Sequence, residues 1–354
     1  MAYTTINKHT DYFNTKLYTG NGSTTQSITG VGFKPDFLWI KDRGDVSDHQ
    51  LSDIVRGKSG SLYYQIQTNG TGSQVVQPDN DGVHSLDSDG FTVGYTNSTA
   101  WNKNSSTYAS WNWLAGGSQG SSNTDGSINT TYTSVNTTAG FSISTYTGTG
   151  SAATIGHGLG AAPKVIIVKR ISGTDSWTVG HDSRGWGKYL RLDTTAAEAS
   201  NTSTWNNTAP TNQVFSVNHN DTNESGVTFV VYCFAEKTGY SKFGSYTGNG
   251  NADGAFVYTG FKPAWVLTKQ ANGGNHWHIH DNKRNAFNVV GKNLKADASN
   301  TEEDPAAGEN SRDFLSNGFK FRNSDHNNSN GQTYIYMAFG QSLVGSNNVP
   351  CTAR

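Results

Sequence analysis

One motif occurs three times in this chain, and that repetition constrains the fold more than any other feature. The copies are Tyr18-Thr-Gly-Asn-Gly22, Tyr146-Thr-Gly-Thr-Gly150 and Tyr246-Thr-Gly-Asn-Gly250. A proline and a β-rich run ending in lysine follow each copy, at 35–41, 163–169 and 263–269. A period of about a hundred residues is too long for a solenoid and matches the size of a domain. The sequence therefore predicts three related domains in tandem.

The residues within each copy indicate β-structure. Apolar and polar residues alternate at matching places, in 91–93, 215–217 and 319–321, which is the pattern of strands. Asn-Gly pairs are typical of hairpins, and helix patterns are nearly absent. Hydrophobic residues make up only 33% of the chain, but aromatic residues reach 12%, enough for each copy to bury a core of Trp, Tyr and Phe. We predict an all-β chain of three tandem β-sandwich domains.

Composition also suggests where these domains begin and end. The run from Gly116 to Thr138 is rich in Gly, Ser and Asn, as flexible linkers are, so repeat 1 is expected to be separable by proteolysis. The joint near Tyr240 is short, so repeats 2 and 3 are expected to pack rigidly. The predicted units are an N-terminal arm (1–12), repeat 1 (13–117), the linker (118–138), repeat 2 (139–240), repeat 3 (241–344) and a C-terminal tail (345–354).

Charge and cysteine content disfavour several classes of partner. The net charge of −1 offers no basic field for nucleic acid. No apolar run approaches the roughly 20 residues of a membrane helix, and the first residues lack the features of a signal peptide. We therefore expect no nucleic-acid partner and no membrane insertion. Cys233 and Cys351 are expected to be free thiols, which suits assembly in a reducing cytosol.

The motifs contain no strong catalytic or cofactor site. Arg56-Gly-Lys-Ser59 resembles the end of a Walker A loop, but Ser52 stands where the first glycine is required. Neither the repeats nor the spacing single out a pair of acids for glycoside hydrolysis, and the cluster Glu302-Glu303-Asp304 lies in a loop peculiar to repeat 3. The predictions are therefore no cofactor, no catalytic residue and no enzyme activity.

An acid or a histidine precedes an arginine by three residues in every copy. The pairs are Asp53 with Arg56, His181 with Arg184, and Asp281 with Arg284. Such a pair can clamp an anionic ligand or form an internal salt bridge. Because the pair recurs at the same point of each repeat, we predict that these arginines are structural.

Three histidines, His276, His278 and His280, alternate along a predicted strand of repeat 3. Alternate residues share one face of a strand, and zinc accepts imidazole ligands, so a metal site is one interpretation. The matching residues of repeat 2, 176–180, contain no ligands. A polar surface is the favoured interpretation, and metal binding by the three histidines stays open.

Several segments resemble a triplicated β-repeat family of virion proteins from marine tailed phages. They are 12–22, 32–35, 156–163, 243–250 and 314–319. The resemblance extends over nearly the whole chain. It implies a structural protein of the tail, the fibre or the capsid surface, with jelly-roll or lectin-like β-sandwiches and no established catalytic residues.

The expected function is therefore that of a tail or fibre component, located in the virion after assembly in the host cytoplasm. It is expected to form a homo-oligomer, to contact other virion proteins and to present polar loops for attachment to the host surface. Host glycans are candidate partners, because aromatic faces stack on sugar CH groups and amides bond hydroxyls. The alternatives are a capsid decoration protein and, less favoured, a depolymerase of the host envelope polysaccharide.

Overall fold

The computed structural model describes residues 4–77, 80–304, 310–342 and 344. Within these residues the chain is nearly all β, which confirms the all-β part of the predicted fold class. The paired strands run antiparallel. The helices among these residues have only three or four residues each: η1 (His9–Asp11), η2 (Asp182–Arg184) and α1 (Asn220–Asn223).

The strands of the three repeats have the following bounds. Repeat 1 contains β1 (Phe13–Thr19), β2 (Gln26–Thr29), β3 (Phe37–Asp42), β4 (Gln50–Asp53), β5 (Lys58–Ser59), β6 (Leu62–Tyr63), β7 (Gln65–Gln67), β8 (Gly82–Asp87), β9 (Gly90–Gly94) and β10 (Thr107–Trp113). Repeat 2 contains β11 (Tyr132–Asn136), β12 (Phe141–Thr147), β13 (Ala153–Gly156), β14 (Val165–Arg170), β15 (Thr178–His181), β16 (Lys188–Arg191), β17 (Ala199–Ser200), β18 (Val214–Val217) and β19 (Thr228–Phe234). Repeat 3 contains β20 (Ser241–Thr247), β21 (Phe256–Tyr258), β22 (Phe261–Gln270), β23 (His278–Asp281), β24 (Leu294–Lys295), β25 (Arg312–Leu315), β26 (Gly318–Phe321) and β27 (Thr333–Ser342).

The three repeats share a five-strand order in their large sheets, and repeat 2 differs by two additional strands there and by a two-stranded small sheet. Each has a large sheet, in the orders β1-β10-β3-β4-β7, β11-β12-β19-β14-β15-β16-β17 and β20-β27-β22-β23-β24. Each also has a small sheet, in the orders β2-β9-β8, β13-β18 and β21-β26-β25. The last long strand of each repeat, β10, β19 or β27, lies inside its large sheet and is buried along most of its length. Such strands carry apolar residues on both faces.

The two faces of each large sheet contribute to different cores. In repeat 2, Ile166 and Val231 pack toward the small sheet, whereas Ile167 and Tyr232 belong to a core that contains residues of all three repeats. Repeat 3 has its own inter-sheet core as well. In repeat 1 the inter-sheet core and the shared core are continuous.

An aromatic cluster lies where the three repeats meet. The ring centroid of Trp113, in repeat 1, is 5.4 Å from that of Trp265 and 5.6 Å from that of Phe339, both in repeat 3. Phe234 of repeat 2 is 6.0 Å from Phe339. Large aromatic rings bury the most apolar area per side chain, so this cluster joins the repeats through the hydrophobic effect.

Equivalent contacts link the repeats in a cycle. A backbone hydrogen bond recurs at each interface: Asp175 N to Thr71 O, Asn275 N to Thr195 O, and Ser47 N to Ser299 O, at 2.9–3.0 Å. Repeat 2 thus contacts repeat 1, repeat 3 contacts repeat 2, and repeat 1 contacts repeat 3. The chain therefore has an approximate threefold arrangement around the shared core.

A side-chain contact follows the same cycle. The contacting pairs are Tyr232 with Asp53 and Trp111 with Asp281, and Met337 and His181 occupy the equivalent positions at the third interface. The first two are hydrogen bonds, of 2.8 Å and 3.1 Å, to a buried carboxylate. At the third interface Met337 replaces the donor and His181 replaces the carboxylate, and the His181 ring lies 3.3 Å from the Tyr336 carbonyl oxygen.

Three lysines at equivalent positions are completely buried near these interfaces: Lys41, Lys169 and Lys269. Their ammonium groups donate to backbone carbonyls. Lys169 donates to Thr71 O at 2.9 Å and Lys269 donates to Thr195 O at 3.1 Å, in each case across an interface. Burial lowers the pKa of each of the three lysines to about 8.

The predicted linker is wrong in its second half. Residues 132–136 of the segment 118–138 form β11, which pairs with β12 at the edge of the large sheet of repeat 2. Ile128 is also buried and bridges to Ile155. The expected separability of repeat 1 stays a prediction, and the shared core argues against it, because apolar residues of repeat 1 belong to the core that contains residues of the other repeats.

The termini and cysteines complete the comparison with the predicted boundaries. Of the predicted arm, 4–12 is described, and Ile6 packs into the shared core. The tail 345–354, with Cys351, lies outside the described residues. Cys233 is a free, buried thiol, as predicted.

Candidate functional site

Two aromatic side chains lie exposed on the edge strand of the small sheet of repeat 3. Phe256 and Tyr258 of β21 are 46% and 58% exposed, while Val257 between them is buried. Alternate residues of a strand share a face and lie roughly 6–7 Å apart. The two rings therefore form one apolar surface on the outer face of the sheet.

The neighbouring strand keeps this surface open. Gly318 of β26 pairs with Tyr258, and a Cβ atom at Gly318 would lie 2.1 Å from Val257 O and 3.0 Å from the Phe256 ring. Only glycine leaves the Phe256 ring in its place. Opposite Phe256, Lys320 forms a 2.6 Å ion pair with Asp253.

A groove of about 350 Å³ lies beside Tyr258, at the corner where the chain passes from the small sheet to the large sheet. Tyr258, Thr259 and Gly260 line one side, and the connection between repeats 2 and 3, from Glu236 to Lys242, lines the other. We call this the Tyr258 groove. It combines an exposed aromatic face with backbone and side-chain polar groups.

Two charged side chains give the groove hydrogen-bonding capacity. Glu236 accepts from Phe243 N at 2.8 Å and from Lys242 Nζ at 3.2 Å, so the carboxylate is held in place. The Glu236 side chain is still 25% exposed and that of Lys242 is 43% exposed. A carboxylate and an ammonium at the solvent boundary can bond sugar hydroxyls, while an aromatic face stacks on sugar CH groups.

The sequence reasoning above missed this site. By strand register, Val257 corresponds to Ile28 and Ile155, because each pairs with the equivalent phenylalanine of the next strand. The residues beside it are Ser27 and Thr29 in repeat 1, Thr154 and Gly156 in repeat 2, and Phe256 and Tyr258 in repeat 3. Comparing the three copies at these positions would have revealed two aromatic residues where the other copies have small ones.

The tryptophans do not contribute to this or any other surface. All nine are buried, at Trp39, Trp101, Trp111, Trp113, Trp177, Trp186, Trp205, Trp265 and Trp277. They fill the shared core and the inter-sheet cores. No tryptophan face is therefore exposed for stacking on a glycan.

The predicted structural role of the arginines is confirmed for Arg56 and Arg284. Each is buried and pairs with the acid three residues earlier, Asp53 at 2.5 Å and Asp281 at 2.6 Å. The third arginine has a different partner. Because His181 offers no carboxylate, Arg184 instead pairs with Glu198 at 2.6 Å.

The histidines of β23 do not form a polar surface, which corrects the favoured interpretation. His278 and His280 are buried between the sheets of repeat 3, and His276 contacts Asp297 at 2.8 Å. Among residues 4–77, 80–304, 310–342 and 344, no group of three or more His, Cys, Asp or Glu side chains is placed to hold a metal ion.

The acidic cluster of repeat 3 is engaged in ion pairs. Glu302 pairs with Arg43 of repeat 1 at 2.7 Å and with Arg284 at 3.2 Å. These contacts hold the pKa of Glu302 below its usual value, although burial raises it. Glu303 pairs with Lys295. The cluster thus helps to join repeats 1 and 3.

Comparison with known families matches residues 8–342 to a single family, described as Domain of unknown function (DUF7483). The chain belongs to this family. The match begins just before η1 and ends at the last residue of β27, so the family unit is the whole three-repeat body and not one repeat. No curated protein and no solved structure matches the chain. In the described part of the chain, no helix has the length and apolar character to cross a membrane.

Proposed function

We propose that this chain is a structural protein of a tailed-phage virion, a tail or fibre component that attaches the particle to the host surface. Each repeat is proposed to be a β-sandwich of the jelly-roll or lectin-like type. The proposed chain has no enzyme activity and binds no cofactor. It assembles in the host cytoplasm as a homo-oligomer bound to other virion proteins. The sequence resemblance described above supports this assignment.

The Tyr258 groove is the observation that carries the attachment role. The exposed ring of Tyr258 lines the groove together with Glu236 and Lys242, a combination of aromatic face and polar groups that suits a surface glycan. Single contacts of this kind are weak. Many copies on one particle would multiply them by avidity.

The threefold arrangement of the repeats favours a second candidate function, capsid decoration. A three-lobed body offers equivalent surfaces to a threefold-symmetric site, because symmetric partners require repeated patches. Localisation of the chain on the particle separates the two candidates, since the first places it on the tail and the second on the shell.

Binding of the purified chain to host envelope polysaccharide tests the attachment role. Tyr258→Ala should weaken binding at least tenfold, about 1.4 kcal/mol, because the stacking face is lost. Tyr132→Ala is the matched control, since Tyr132 is 38% exposed on β11 and lies outside the groove. Equal binding by the wild type and both variants would show that the Tyr258 groove is not the glycan-binding site. Release of oligosaccharides by the wild type would instead support a depolymerase.

A further inference from the structure

The space between the two sheets of repeat 3 holds a guanidinium group that has no counter-charge among the described residues. Arg312 of β25 is 0% exposed, and its Nε and Nη2 atoms have no hydrogen-bond partner among the described residues. Its Nη1 atom lies 3.5 Å from Thr268 Oγ1, and its guanidinium carbon lies 4.9 Å from the Phe321 ring centroid. A buried charge without a partner is strongly destabilising.

Deprotonation does not remove this cost. Burial lowers the pKa of Arg312 to about 10, so the guanidinium stays charged at neutral pH. Among the described residues, the charge that acts on Arg312 in the opposite direction is that of Tyr246, and burial raises the pKa of this tyrosine well above its ordinary value. Tyr246 is therefore neutral and supplies no negative charge.

His280 of β23 faces the same space. It is 0% exposed, and neither ring nitrogen has a hydrogen-bond partner among the described residues, although the Asn310 carbonyl is close. Burial, followed by the charges of Arg312 and Arg284, holds the pKa of His280 well below its ordinary value. The ring is therefore neutral and has one N–H group to donate.

The other repeats fill this space without charge. By strand register Val83 takes the place of Arg312 in repeat 1. In repeat 2, Gly180 takes the place of His280, and two tryptophan rings lie within 3 Å of where its Cβ atom would be. The fold itself therefore needs no cation here, and the positive charge is a property of repeat 3.

We propose that repeat 3 binds a small monovalent inorganic anion, of the chloride class, between the Arg312 guanidinium and the His280 ring. The free N–H groups of both side chains are its donors, and the ion supplies the missing counter-charge. The low dielectric of the aromatic surroundings strengthens the attraction.

A chloride titration tests this proposal. Protein dialysed into sodium gluconate is titrated with sodium chloride at constant ionic strength while Tm is measured. Tm of the wild type should rise and saturate, because a ligand that binds only the folded state stabilises it. R312M should show no response. R322M is the matched control, because Arg322 pairs with Asp313 at the surface of the same sheet, and it should respond like the wild type.

A second variant and a direct measurement keep the test decisive if R312M does not fold. H280F keeps the guanidinium but removes a donor, so it should need several-fold more chloride for half of its response. Crystals grown in sodium bromide should show an anomalous peak within hydrogen-bond distance of Arg312. An ordered water without anomalous signal there, or a wild-type Tm that is unchanged across the titration, would overturn the proposal.

Discussion

Tyr232 and Asp53 lie in different repeats, yet the tyrosine hydroxyl donates a 2.8 Å hydrogen bond to the carboxylate, and both side chains are buried. Asp53 also holds Arg56, so one carboxylate fixes the loop of its own repeat and the strand of the next. At the interface of repeats 2 and 3, Met337 and His181 replace the two groups. At each of the three interfaces, the hydrogen-bond donor and the buried carboxylate are therefore either both present or both replaced.

Removing this donor should destabilise the whole chain. Tyr232→Phe keeps the ring in the shared core but deletes a hydrogen bond to a charged group, so we expect a loss of about 1.5–3 kcal/mol in the free energy of unfolding. Urea unfolding measures this change. Tyr132→Phe, at an exposed site, is the control and should lie within about 0.5 kcal/mol of the wild type. Equal effects of the two substitutions would show that the bond between repeats adds no stability.

The stability lost on replacing each structural arginine should increase with the burial of its ion pair. Arg284→Ala leaves Asp281 buried without its partner and should cost about 3–5 kcal/mol. Arg184→Ala removes a pair with Glu198 in which the arginine side chain is 20% exposed, so the cost should be smaller. Chemical denaturation of both variants gives the comparison. A larger loss for Arg184→Ala would contradict the assigned roles.

The buried lysines should make stability rise with pH above neutrality. The pKa of Lys169 is about 8 in the folded chain and about 10.4 when unfolded, so the unfolded state binds more protons between these values. From pH 7.5 to pH 9.5 the wild type should gain about 1–2 kcal/mol relative to Lys169→Met. Unfolding curves at both pH values measure the gain. The control Lys58→Met, at an exposed position, should gain as much stability between the two pH values as the wild type. An equal gain by Lys169→Met would show that the pKa of Lys169 is not lowered in the folded chain.

The sequence predicted the repeats and their strands because these depend on local patterns. Alternating residues and Asn-Gly turns specify strands and hairpins over a few positions. The shared core was not predictable in this way, since Trp113, Phe234 and Phe339 have the pattern of any buried strand. Nothing local indicates that one face of that strand packs against another repeat. The segment 118–138 was misassigned because Gly, Ser and Asn are common in both linkers and edge strands with tight turns.

The candidate site escaped prediction for a related reason. Phe256 and Tyr258 flank a buried valine, and an aromatic-rich strand is expected to be core. Their exposure depends on β21 lying at the edge of a small sheet, which only the fold reveals. The structural arginines were predictable because each lies three residues from its acid in the chain. The partner of Arg184, fourteen residues away, was not.

Scanning calorimetry of the whole chain tests most directly whether the three repeats form a single folding unit. Because the aromatic cluster and the cyclic contacts join all three, we expect one transition, with a calorimetric enthalpy equal to the van't Hoff enthalpy. Proteolytic nicking within 118–131 should leave the two fragments associated, since the core holds them together. Two or more separate transitions, with repeat 1 unfolding independently of repeats 2 and 3, would contradict a shared core.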